Sequence, residues 1–95
     1  MKLTPEQIEN IILMAELFFT PAEISVNIEA HNDEFLQEIN TTGSDAWKAY
    51  TTGKIKGEFK LRTGIMTAAE HGSHPAQQLM LQIKADSEVK SAIDA

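Results

Sequence analysis

The chain has 95 residues, a mass of 10.5 kDa and 42% apolar side chains. That is enough for one small domain, whose modest core would gain from self-association. It contains no cysteine, which excludes disulfides, thiolate metal sites and thiol nucleophiles. The longest apolar run, Ile11 to Ala15, is far too short to span a membrane, and no apolar stretch follows Met1-Lys2-Leu3-Thr4-Pro5 as a signal peptide would require. A soluble, cytoplasmic protein is therefore expected. The net charge of −6 weighs against nucleic acid as a partner in bulk, but it is unevenly placed. In residues 1–41 Lys2 stands alone against eight acids, a net of −7. In residues 47–63 five bases face Glu58 alone, a net of +4. Such asymmetry can serve nucleic acid, a protein partner or contacts between copies of the chain.

In chain order, Thr4 and Gln7 form a capping box around Pro5 and open a first helix over residues 5–19. Ile8, Ile11, Ile12, Ala15, Phe18 and Phe19 recur at helical spacing, and Leu13, Met14 and Leu17 widen the apolar face until the helix looks nearly buried. Pro21 disfavours helix at Thr20 and sets the expected end. Thr20-Pro21-Ala22-Glu23 repeats the capping box and opens a second helix over 21–29, with Ile24 and Ile28 inward. A third helix, 32–40, turns Phe35, Leu36 and Ile39 inward and stops before Gly43.

Ser44-Asp45 opens a fourth, long helix over 44–71. One stripe collects Trp47, Tyr50, Leu61, Ile65 and Ala68, and a neighbouring one Ile55, Phe59, Met66 and Ala69. Gly53, Gly57 and Gly64 interrupt it, each costing about 1 kcal/mol relative to alanine in a helix interior. Either the helix breaks near Thr52-Gly53 or the glycines admit a close neighbour. Gly72-Ser73-His74-Pro75 is a turn and restart, and a fifth helix over 74–86 carries Ala76, Leu79, Met80 and Ile83, with fraying expected beyond Asp86. No segment alternates with period two. The expectation is an all-α protein: a helix-turn-helix-like three-helix unit, 1–41, followed by a helical hairpin, 42–95.

The chemistry-bearing residues are few. Lys48, Lys56 and Lys60 share a helix side, flanked by Lys54 and Arg62, and five cations could release several counterions on a duplex. The plainer alternative is a solvated face with ordinary Lys54–Glu58–Arg62 pairs. The outward side of the third helix offers Asn32, Asp33, Glu34, Gln37 and Glu38. Asn32 and Gln37 could read adenine, but this side has no cation to offset phosphate repulsion. Trp47 and Tyr50 fit packing better than base stacking. His71 and His74 straddle a Gly-Pro turn without further ligands, so no metal site and no cofactor is expected. There is no nucleophile–base–orienter set and no glycine loop ending in Gly-Lys-Ser/Thr, so enzymatic activity is not expected.

Several stretches together resemble a known family: Thr20-Pro-Ala-Glu-Ile24, Phe35 through Ile39, Trp47-Lys-Ala-Tyr50 with Gly53-Lys54, Leu61-Arg62, Ala68-Ala69, and Gly72-Ser-His-Pro-Ala-Gln77 before Leu79-Met80-Leu81. They look like the homeodomain-like helix-turn-helix proteins of the phage small terminase subunit type, over roughly residues 8–83. The glycine often found in that family's turn is matched here by Glu29. The resemblance implies a DNA-recognition and assembly factor in genome packaging, in an infected or lysogenic bacterial cell. It implies ring formation through the hairpin, duplex DNA as ligand, and delivery to the large, ATP-hydrolysing terminase subunit. Lys48, Lys54, Lys56, Lys60 and Arg62 would contact DNA, with Asn32 and Gln37 as lesser contributors. Trp47, Tyr50, Leu79, Met80 and Ile83 would bury apolar surface between copies, with Glu34 and Glu38 supplying the acidic side of a heterologous contact. One alternative is an acidic interaction module that binds no DNA, either a virion component or an inhibitor that mimics nucleic acid by charge. A weaker one is a transcriptional regulator.

Overall fold

The computed structural model describes residues 1–94, with side chains through Ser91, and is helical with no strand among them. The elements are α1 (Pro5–Glu16), α2 (Pro21–Asn27), α3 (Asn32–Ile39), α4 (Asp45–Glu70) and α5 (His74–Asp94). They form two compact units, Met1–Glu58 and a second from Phe59 onward. The first half of α4 thus packs with the three short helices.

Both capping boxes form. In α1 the Thr4 hydroxyl accepts from the Gln7 N–H, and the Thr4 N–H donates to Gln7 Oε1 at 2.9 Å. In α2 the Thr20 hydroxyl accepts from the Glu23 N–H, and the Thr20 N–H donates to Glu23 Oε1, also at 2.9 Å. Donation from the Thr20 backbone, and then from its side chain, holds the Glu23 carboxyl below the usual range. Gln7 does more than cap: its Nε2 donates to the Ile28 carbonyl at 3.1 Å and ties the start of α1 to the end of α2.

The helix ends correct the expected boundaries. α1 stops at Glu16, three residues short of Phe19. Phe18 takes a left-handed φ of 66°, its N–H bonds the Ala15 carbonyl, and the Phe19 N–H bonds that of Met14. This is a Schellman closure on a residue that pays the Cβ penalty glycine avoids. α2 ends at Asn27 in the same way, with Glu29 at φ 57° and the Ala30 N–H on the Ser25 carbonyl. Glu29 thus adopts a backbone conformation that glycine favours. The same closure at the end of α4 uses Gly72, φ 94°, with the Ser73 N–H on the Ala68 carbonyl. α5 continues past Asp86 to Asp94.

The core of the first unit is Ile11 and Ala15 of α1, Ile24 and Ile28 of α2, Phe35 and Ile39 of α3, and Ala46 and Ala49 of α4. Tyr50 and Ile12 pack against it half-buried. α4 is unbroken through its glycines. Gly53 and Gly57 are buried against α1, where a Cβ on Gly53 would collide with the Ile12 carbonyl and one on Gly57 with that of Glu16. The inward side of α4 here is therefore Ala46, Ala49, Gly53 and Gly57, not either large apolar stripe. α1 is also less buried than its composition suggests: Leu13 and Leu17 face solvent, and Leu17 is 70% exposed.

The second unit packs less. The α4–α5 turn is closed by Gln77 Nε2 donating to the Ala69 carbonyl at 3.1 Å. Only Ala76 is buried among its described side chains. Phe59, Leu61, Met66, Leu79, Leu81 and Val89 are exposed.

Candidate nucleic-acid interface and assembly surfaces

α2, its left-handed turn and α3 make the helix-turn-helix-like pair. The turn is braced from inside by Ser25, which is buried. Its hydroxyl shares its one proton between the Ala22 carbonyl, 2.7 Å away, and Asn32 Oδ1, 2.9 Å away. Asn32 is thus engaged at the start of α3, while Gln37 is exposed. Asp33 and Glu34 are also exposed. The Met1 ammonium lies 3.8 Å from Glu34 and 3.5 Å from Glu38, so both carboxylates already have a cation within their own chain. α3 hands over to α4 through Ser44, whose hydroxyl donates to the Glu38 carbonyl at 2.6 Å and accepts from the Trp47 N–H at 3.0 Å.

Lys48, Lys54, Lys56, Lys60 and Arg62 are all exposed on α4. At about 100° per residue, Lys48, Lys56 and Lys60 fan over about 120° of the helix rather than lining one row. Arg62 falls close to Lys48 in angle around the helix, though about 21 Å further along it, whereas Lys54 turns away, its Nζ 6.0 Å from the Tyr50 ring centre. Tyr50 packs on the core of its own unit, and Trp47 is half-buried. In the second unit Met80 joins Met66, Ala69, Gln77, Leu81 and Lys84 around an open, largely apolar groove. Leu79 is exposed and Ile83 half-buried. His71 and His74 are exposed, and no cluster of three His, Asp or Glu suited to a metal occurs among the described residues. No helix there is long and apolar enough to cross a membrane.

One surface escaped the periodicity argument: the exposed corner of Leu13, Leu17, Phe18 and Phe19 at the end of α1. Helical periodicity points these residues inward, because a wide apolar face looks the same whether covered or not. A usable signal was present, since Leu13 and Leu17 share a helix side with Glu6 and Glu9. No protein family, curated protein or solved structure matches the chain.

Proposed function

We propose that the chain is a DNA-recognition and assembly factor of the small terminase type, acting in phage genome packaging and handing DNA to a large, ATP-hydrolysing subunit. The observation that carries this is the division of labour along α4. Its first half completes a self-contained helix-turn-helix-like unit, and its second half enters a hairpin with exposed apolar side chains. Copies associate through that hairpin, with Leu79, Met80 and Ile83 at the contact. The cations of α4 supply the duplex contact. Direct reading by α3 is secondary, because its acids oppose phosphate and Asn32 is held by Ser25.

The test is duplex binding titrated with salt, alongside native mass. Replacing Lys56 and Lys60 by alanine should weaken binding and flatten the log–log salt slope by about one to two units. Replacing Asn32 and Gln37 should matter less. The reverse ranking would return recognition to α3. Failure to bind any duplex at low salt would favour the second reading, a module whose exposed Asp33 and Glu34 meet a basic protein surface.

A further inference from the structure

Two exposed helix faces in this chain complement each other. On α1, Glu6, Glu9, Leu13 and Leu17 recur at spacings of three, four and four, which places acids and then leucines along one side. All four are exposed. That side runs into Phe18 and Phe19, 48% and 40% exposed. Phe18 is held left-handed, a conformation that costs an aromatic residue free energy and that glycine would adopt without strain. On α4, Lys48, Ile55, Phe59 and Arg62 recur at spacings of seven, four and three, which also fall on one side. Ile55 is 62% and Phe59 72% exposed, and a base stands at each end of the apolar pair.

We propose that the α1 corner of one copy docks on the 47–63 segment of α4 of a second copy. Apolar side chains meet apolar ones, and Glu6 and Glu9 of the acidic front half meet the +4 segment. The two surfaces are different, so the contact is head-to-tail and propagates from copy to copy. The leucines and phenylalanines supply affinity, whereas the charges set orientation and encounter rate. The inference rests on the assembly part of the proposed function and adds a second interface, distinct from the Leu79, Met80 and Ile83 contact. It also makes duplex DNA and a neighbouring copy competitors for the same segment of α4.

The experiment measures self-association of the full chain by analytical ultracentrifugation in low and high salt. Phe18→Gly removes the aromatic ring while supplying the residue the backbone favours, and Ile55→Ser changes a solvent-facing side chain. Thermal melting verifies that each variant folds. Each should raise the association Kd about tenfold or more, as expected for a central contact residue. Glu6→Lys with Glu9→Lys in one chain should weaken association. Mixing that chain with one carrying Lys48→Glu and Arg62→Glu should restore it. Wild-type association unchanged by Phe18→Gly and Ile55→Ser, but lost on Leu79→Ser, would overturn this interface and leave the hairpin assembly standing. A wild-type monomer at high concentration in low salt would overturn both.

Discussion

Phe35 and Phe59 are the same side chain in opposite circumstances. Phe35 is fully buried where α1, α2, α3 and the start of α4 close on one another, and Phe59 begins a unit that buries only Ala76 among its described side chains. The first unit closes a core around Phe35 unaided, and its exposed apolar residues, among them Leu13, Leu17, Phe18, Phe19, Val26 and Ile55, lie outside that core. The second leaves large apolar residues on the outside of two long helices, the pattern of a surface built to be covered. Apolar content alone therefore does not locate the core. What separates the units is whether small residues let helices approach, as Ala46, Ala49, Gly53 and Gly57 do.

The comparison is broken most directly by truncating each phenylalanine in dilute protein. Phe35→Ala should cost about 3–5 kcal/mol, and Phe59→Ala less than about 0.5 kcal/mol, measured by denaturant unfolding. Comparable losses would place the second unit's apolar residues inside a core. A smaller effect sharpens the same contrast with glycines. Gly53→Ala should destabilise by about 1–3 kcal/mol despite alanine's better helix propensity, because the new Cβ meets the Ile12 carbonyl and lies 2.8 Å from Ala15 Cβ. Gly64→Ala meets nothing within 4 Å and should stabilise by about 0.5–1 kcal/mol. Thermal melts of the two variants should move in opposite directions.

The smallest effect lies within the first unit, between its two capping boxes. Gln7 carries no charge, whereas Glu23 is a carboxylate with a lowered pKa. A depressed carboxyl stabilises the fold above its unfolded pKa, and that contribution fades as pH falls through the folded value. Glu23→Gln should keep the box and flatten the acid limb of the stability–pH curve slightly. Melting temperatures of both proteins from neutral pH into the acid range measure this, and identical acid limbs would contradict it.

How far the sequence disclosed the fold follows the same divide between local and tertiary causes. Thr4–Gln7 and Thr20–Glu23 were legible because a cap is settled by residues three apart. The core positions of α2 and α3 were legible because Ile24, Ile28, Phe35 and Ile39 are sparse among polar neighbours. The end of α1 was not, because Phe18 and Glu29 sit left-handed without the glycine that announces such a turn. The packing side of α4 was hidden because large apolar residues suggest burial, while Ala46 and Ala49 join the core and Gly53 and Gly57 are buried by their close approach to α1. Of the candidate site, the α4 cations were legible as a charge cluster. That Lys54 turns toward Tyr50, and that Asn32 is held by Ser25, depended on contacts no spacing rule supplies.

The first unit has a core that forms without a partner, whereas the second buries only Ala76 among its described side chains and depends on association. Amide hydrogen exchange on the intact chain across a wide range of protein concentration tests this contrast most directly. Protection around Ile24 and Phe35, in helices that neither proposed interface uses, should be independent of concentration, while protection along α5 should rise as the protein is concentrated. Protection in α5 that already equals that of α2 and α3 at the dilute limit, and does not change on concentration, would contradict it.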